Sequence, residues 1–381
     1  MKKLFIFLLI VLIIGVNTVI PVSALEIKDI NFDFNIKSAV LMDAETGAVL
    51  YSLNMNQMLP PASVTKIMTM LLIFEAIDNG MIKYDDLVTV SDYASSMGGS
   101  QVFLEPGEEI SVNELLKCIA VASANDGAVA MAEYIAGSEE EFVRRMNEKA
   151  AILGMKNTHF ENVTGLDDDV KNHLTSAYDI ALMSKELLKH EDVTKYTTIW
   201  MDSIRGGSFG LSNTNKLVRY YRGITGLKTG STDKAGFCVS ASAKRDEMHL
   251  IAVIMGAETS KERNEIASKL LDFGFANYER VMIKSEECED ISVIGGEKIK
   301  AKIGYNDYLT LENKGNSSKI EKKAEIYDSL QAPIRKGDLA GKIYYYINGK
   351  EIGCTNVYVM EDVNKISFLG FYLKILTNIL I

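Results

Sequence analysis

Short apolar runs bounded by turn residues predict strands in the first 280 residues of the chain. The clearest pair flanks the polar segment 43–47, which ends in Gly47, and predicts a β-hairpin. A second pair flanks the charged segment 244–247. The predicted strands are 39–42, 48–51, 87–90, 237–243 and 250–257.

Apolar positions that recur every three or four residues predict helices between these strands. An apolar stretch over 67–77 follows Pro60 and Pro61, which cannot continue a preceding helix. We therefore expect a helix to begin at or just before Ser63, a favourable N-terminal residue. The other predicted helices run from 111 toward 122, from 128 to 146, from 176 to about 189 and from 260 to 278.

The pattern changes near Lys284. From there to Val363, short alternating stretches and turn signals such as Asn348-Gly349 predict a small antiparallel β domain. The mixture of helices and strands before it indicates an α/β (α+β) domain, in which a sheet joins the 38–54 hairpin to strands near residues 228, 237 and 250.

The N-terminal segment is typical of a secretory signal peptide. Lysines at positions 2–3 precede an apolar run over 4–16, and small residues at 22–24 suit a signal peptidase. We expect residues 1–24 to be removed on export, the alternative being an uncleaved membrane anchor.

The C-terminal segment 366–381 is strongly apolar. As a helix it would gather its few polar residues on one narrow face. From residue 368 to the end it would be about 21 Å long, short of the roughly 30 Å hydrocarbon core of a bilayer. We expect it to lie in a membrane interface and not to span it, the alternative being a last helix docked on the β domain.

Length and charge limit the function classes. With 381 residues, 47% of them hydrophobic, the chain can bury the cores of two domains. Its formal net charge is −10, and it becomes about −12 once the two lysines of the signal segment are removed. This acidic balance argues against a nucleic acid partner and against a polybasic membrane patch.

Cysteine and histidine spacing gives no sign of a metal site. The cysteines are far apart, which favours buried thiols over a disulfide framework, and no histidine pair has zinc-ligand spacing. The residues concerned are Cys118, Cys238, Cys288, Cys354, His159, His173, His190 and His249.

Three short motifs carry the chemistry. Ser63 and Lys66 would share one helix face about 5–6 Å apart at Cβ, close enough for the amine to take the hydroxyl proton. Taken alone, this spacing is common and fits a helix start followed by a solvated lysine. It is joined in this chain by Ser123-Ala124-Asn125 and Lys228-Thr229-Gly230.

With these motifs in this order, residues 25–363 resemble the low-molecular-mass penicillin-binding proteins that act as D-alanyl-D-alanine carboxypeptidases. The segments 61–66, 159–166, 223–232 and 235–238 also resemble the family's motifs. The resemblance implies a β-lactamase/transpeptidase-like catalytic domain with an inserted helical subdomain over 25–283. It also implies an all-β domain over 284–363, a tail over 364–381, and no cofactor or metal.

The resemblance also implies roles for eight residues. Ser63 would be the nucleophile, Lys66 its general base, and Ser123 a proton relay to the leaving amine. Burial, repulsion from Lys228 and the helix N-terminus would lower the pKa of Lys66. The implied substrate-binding residues are Asn125, Lys228, Thr229, Gly230 and Ser231. The backbone amides of Ser63 and Ser231 would form the oxyanion hole.

The implied partners are peptidoglycan stem peptides ending in D-Ala-D-Ala, β-lactam antibiotics and the outer face of the cytoplasmic membrane, which the C-terminal helix would contact. Two alternatives stay open. A β-lactamase shares the three motifs, although the Glu-x-x-Leu-Asn pattern of class A enzymes is absent from the sequence. A catalytically inactive wall-binding protein could use the cleft for recognition alone.

Overall fold

The computed structural model describes residues 34–166 and 170–372, which form two compact units. The N-terminal unit extends to Val281 and also includes Thr310–Gly315. The C-terminal unit comprises Met282–Leu309 and the chain from Asn316 onward. The sequence predicts a single boundary near Lys284. In the structure, the short segment Thr310–Gly315 beyond that boundary groups with the N-terminal unit.

The N-terminal unit alternates strands and helices. Its strands are β1 Ser38–Asp43, β2 Val49–Leu53, β3 Leu87–Thr89, β4 Glu109–Ser111, β5 Met201–Ile204, β6 Phe209–Ser212, β7 Ile224–Thr232, β8 Gly236–Arg245, β9 Met248–Ala257 and β10 Tyr278–Ile283. Its helices are α1 Lys66–Asp78, α2 Asp92–Ser95, α3 Val112–Lys117, α4 Asn125–Ala136, α5 Glu139–Ile152, α6 Ala177–Leu187, α7 Val193–Thr197, α8 Leu217–Tyr220 and α9 Ser260–Asn277. Strand β10 passes into the C-terminal unit at Met282.

A five-stranded antiparallel sheet in the order β2-β1-β9-β8-β7 forms the centre of this unit. Alternate residues of β1 enter opposite hydrophobic cores: Val40 and Met42 pack with the helices of one face, and Ala39 and Leu41 with those of the other. The predicted hairpin and the predicted pairing of 237–243 with 250–257 are confirmed.

Two helix predictions need correction. The segment 128–146 is not one helix, because α4 ends at Gly137, whose φ of +83° reverses the chain. Ser138 then caps α5 by accepting a hydrogen bond from the Glu141 backbone amide. Near residue 63, helical conformation begins at Ala62 as expected, but as a 3-10 turn, Ala62–Thr65, before α1 starts.

The C-terminal unit is built from strands, as its alternating sequence predicts. They are β11 Ile291–Ile294, β12 Lys300–Ala301, β13 Ile303–Gly304, β14 Tyr308–Asn313, β15 Ile320–Ile326, β16 Ser329–Gln331, β17 Leu339–Ile347 and β18 Lys350–Val359. The Asn348-Gly349 turn joins β17 to β18. The predicted domain was wholly antiparallel, but β11 pairs with β16 in parallel.

Strand β14 divides between the units, since its residues from Thr310 belong to the N-terminal unit, where Leu311 is buried in the hydrophobic core.

At the end of the described chain, residues 368–372 are helical. The remainder of the predicted tail helix, 373–381, lies outside the described residues. Within residues 34–166 and 170–372, no helix is both long and apolar enough to cross a membrane.

Candidate active site

Ser63 lies in the 3-10 turn that leads into α1. Helical conformation begins one residue before it, as expected, but its side chain makes no capping hydrogen bond to the helix. The Ser63 hydroxyl instead lies 3.0 Å from the amine of Lys66, the first residue of α1. The three-residue spacing therefore places the two side chains in direct contact, as predicted.

Lys66 is completely buried and has two further partners. Its Nζ lies 2.6 Å from Asn125 Oδ1 and 2.8 Å from the Thr164 carbonyl oxygen. Both oxygens can only accept hydrogen bonds, so a neutral amine directs its two hydrogens toward them. The lone pair of the nitrogen then faces the Ser63 hydroxyl, which is the orientation required of a general base.

The surroundings of Lys66 favour this neutral form. Burial lowers its pKa well below the ordinary value for lysine, and the positive charge of Lys228 lowers it further. The carboxylate of Asp126 opposes these effects and raises the pKa. The net effect is a pKa below that of an exposed lysine, which favours the neutral amine relative to such a residue.

Asn125 also fixes the loop beside it. Its amide nitrogen donates to the Gly98 carbonyl at 2.7 Å, and its backbone amide donates to Ser100 at 2.7 Å. Ser123, two residues earlier, follows a π-helical turn and has a left-handed backbone with φ of +64°. Such a conformation in a non-glycine residue is held by its surroundings and is often found at functional sites.

The third motif lies on β7, the edge strand of the central sheet. Lys228 is buried, and its amine donates to the Thr229 carbonyl at 2.9 Å. Burial, together with the charge of Arg263, lowers the pKa of Lys228 to about 7. The Thr229 hydroxyl donates to Thr214 Oγ1 at 2.9 Å.

Gly230 brings β7 against the 3-10 turn Ala62–Thr65, which carries Ser63 and is called the nucleophile turn below. A Cβ at this position would lie 2.8 Å from the Ser63 backbone nitrogen and 2.9 Å from both the Pro61 oxygen and the Val64 nitrogen. The next residue, Ser231, is exposed and pairs with Phe237 of β8. The absence of a side chain at residue 230 thus allows the third motif to meet the first.

The sequence did not indicate several residues that support the site. Asp126 is buried behind Asn125 and accepts hydrogen bonds from the backbone amides of Val102 and Leu104. Arg263 is buried on α9 and acts on Lys228 through its charge. Asp126 could have been found from its position directly after the second motif. Arg263 could not, because it comes from a helix that is distant in sequence.

His173 is a third supporting residue that the sequence did not indicate. Its Nδ1 accepts a hydrogen bond from the Glu161 backbone amide, so the neutral ring donates from Nε2 to the Thr65 hydroxyl at 2.8 Å. The ring also packs edge-to-face on Phe160. His159, in contrast, exposes its side chain and contributes backbone hydrogen bonds to Leu174, consistent with a structural role.

The family comparisons agree with this geometry. Residues 26–259 match the D-alanyl-D-alanine carboxypeptidase family, a serine peptidase family. The chain belongs to this family. Residues 278–365 match a second family, the C-terminal domain of penicillin-binding protein 5. The first match lies in the N-terminal unit, and the second lies mainly in the C-terminal unit.

Two of the similar proteins match the chain over most of its length, and a third matches about two thirds of it. The chain is 47% identical to the D-alanyl-D-alanine carboxypeptidase DacF of Bacillus subtilis (strain 168), covering 88% of this chain and 87% of the relative. Among solved structures, penicillin-binding protein 5 of Haemophilus influenzae is 34% identical with a TM-score of 0.80, covering 88% of this chain and 99% of that one. Penicillin-binding protein D2 of Listeria monocytogenes, solved in an ampicillin-bound form, is 31% identical with a TM-score of 0.57, covering 65% and 99%.

Proposed function

We propose that this chain is a serine-type D-Ala-D-Ala carboxypeptidase that removes the terminal D-alanine from peptidoglycan stem peptides. The observation that carries the proposal is the buried Lys66 amine. Asn125 and Thr164 accept its hydrogen bonds, so that the lone pair of a neutral amine faces the Ser63 hydroxyl. The family match and the named relatives supply the reaction and substrate class.

Acylation follows from this arrangement. Lys66 takes the hydroxyl proton while Ser63 Oγ attacks the carbonyl carbon between the two D-alanines. The C–N bond then breaks, and the departing amine of D-alanine takes up a proton, for which Ser123 is the proposed relay. Water hydrolyses the resulting ester on Ser63 and releases the shortened peptide, which regenerates the hydroxyl.

The edge strand β7 offers a binding surface for an extended peptide, which can add to the sheet through backbone hydrogen bonds. Lys228 and the Thr229 hydroxyl are proposed to bind the terminal carboxylate. The backbone amides of Ser63 and Ser231 are proposed to stabilise the oxyanion. β-Lactams would acylate the same serine, in line with the ampicillin-bound relative.

The direct test is release of free D-alanine from a peptide ending in Lys-D-Ala-D-Ala. The chain should release it, and Ser63→Ala should abolish both release and labelling by a fluorescent penicillin. Ser52→Ala is a matched control, because Ser52 is exposed on β2 at the opposite edge of the same sheet. Rapid turnover of a chromogenic cephalosporin would instead favour a β-lactamase, and binding without D-alanine release would favour a wall-binding protein.

We further propose export across the cytoplasmic membrane and attachment to its outer face. The support is the signal-like segment 1–24 and the apolar tail, of which the described residues Phe368 and Leu369 are exposed. Expressed from Leu25, the full chain should pellet with lipid vesicles even at high salt, and a chain ending at Asn364 should stay in solution. Equal partitioning of the two chains would exclude attachment by the tail.

A further inference from the structure

We propose that the C-terminal unit carries a second lipid-contacting element, the hairpin tip 294–299, which enters the membrane interface beside the tail. This inference rests on the proposed attachment of the tail to a membrane. The tip follows β11, and its base is closed by a hydrogen bond from the Val293 backbone amide to the Ile299 carbonyl at 2.8 Å.

The tip exposes two large aliphatic side chains. Ile294 is 60% exposed and Ile299 is 65% exposed, whereas Ile291 and Val293 of the same strand are buried in the core of the unit. The alternation along β11 therefore turns Ile294 away from the core. More than half of each isoleucine side chain therefore faces solvent.

The tail leaves the domain at this same tip. The Glu297 amide donates to the Asn364 carbonyl at 2.9 Å, and the Ile366 amide donates to the Gly295 carbonyl at 2.9 Å. Gly296 pairs with Lys365 and packs so closely on Val363 that a Cβ would lie 2.9 Å from its methyl group. The chain from residue 366 onward is thus tied to the tip before its helix begins.

The described start of that helix continues the apolar surface. Phe368 is 88% exposed, and Leu369, Phe371 and Tyr372 are also largely exposed. A lipid interface that receives the tail would therefore meet the tip as well, because the backbone hydrogen bonds hold both at one place.

Salt bridges occupy two of the basic side chains around the tip. Lys298 pairs with Glu361, and Arg335 lies 3.8 Å from Asp362. Lys300 and Lys365 are also close to the tip. We expect burial of apolar area to supply most of the membrane affinity, with a smaller, salt-dependent contribution from these two lysines on anionic lipid.

The first test compares vesicle partitioning of the full chain with that of the double variant Ile294→Ser, Ile299→Ser. We expect the partition coefficient to fall about tenfold or more on phosphatidylcholine vesicles, with or without phosphatidylglycerol. Ile152→Ser is the matched control, because Ile152 is 77% exposed in the N-terminal unit and should not matter. An unchanged coefficient for the double variant, with binding still dependent on the tail, would overturn the inference but leave tail attachment intact.

The second test reports the environment of the tip. Trp200 is the one tryptophan of the sequence, so Ile299→Trp in a Trp200→Phe background gives a single probe. Brominated lipid should quench its emission in the full chain. A probe that is buried without vesicles and becomes exposed when the chain ends at Asn364 would show that the tail covers the tip, and would overturn the inference. Failure of the full chain to bind vesicles at all would refute the proposed attachment itself.

Discussion

Addition of one methyl group at Gly230 should slow the reaction of the Ser63 nucleophile while leaving the chemical groups of the site in place. Gly230→Ala puts a Cβ within 2.8–2.9 Å of three backbone atoms in the turn that carries Ser63. Backbone atoms cannot rotate away as a side chain can. The turn or the strand must therefore move.

The size of the movement gives the expected effect. Ordinary van der Waals contact begins at 3.4 Å, so the two segments must separate by about half an ångström. A 1 Å misplacement at a reacting centre can cost about 10²-fold in rate, so acylation should slow by roughly tenfold or more. Overpacking of this kind also lowers the free energy of unfolding by about 1–3 kcal/mol.

Stopped-flow acylation by a fluorescent penicillin measures the first quantity, and urea unfolding measures the second. Gly210→Ala is the matched control, because a Cβ there has no atom within 4 Å and its backbone is equally compatible with alanine. If Gly230→Ala acylates at the rate of the unsubstituted chain, the close approach of β7 to the nucleophile turn is not required for the reaction.

Three further substitutions test the electrostatics and support of the site. Lys66→Ala should lower the acylation rate about 10²–10⁴-fold, and near-normal acylation would exclude Lys66 as the base. Because burial lowers the pKa of Lys228 from 10.5 to about 7, the unfolded chain binds more protons between these pH values, so the free energy of unfolding should rise with pH across that window. Lys228→Met should flatten that rise in urea unfolding, and an identical pH dependence would contradict the lowered pKa. His173→Ala leaves the Thr65 hydroxyl and the Glu161 amide without their partner, which should cost about 1–3 kcal/mol of unfolding free energy and slow acylation, with partial rescue by His173→Gln. Unchanged stability and rate would show that His173 does not hold the turn.

Local signals predicted much of the fold. The hairpin at Gly47 and the helix that starts near residue 111 were predictable because the deciding residues are neighbours in sequence. The break at Gly137 was missed because apolar positions recur on both sides of it and imitate one continuous helix. The parallel pairing of β11 with β16 and the return of Thr310–Gly315 to the N-terminal unit depend on contacts between distant segments, which periodicity does not reveal.

The residues of the candidate site also fall into those that short motifs revealed and those that only the structure revealed. Ser63, Lys66 and Asn125 belong to short motifs, and the structure brings them into direct contact. The contribution of Thr164 comes from a backbone carbonyl, which any residue type supplies, so its identity carries no signal. His173 reaches the nucleophile turn from 108 residues away, and a sequence without its structure gives no reason to connect the two.

The most direct test of the account is mass spectrometry of the chain trapped during turnover of a Lys-D-Ala-D-Ala peptide or after incubation with penicillin. We predict one covalent acyl adduct, located on Ser63 in the peptide that also contains Lys66, and its disappearance in Ser63→Ala together with D-alanine release. An adduct on another residue, or continued release of D-alanine by Ser63→Ala, would contradict the assignment of Ser63 as the nucleophile.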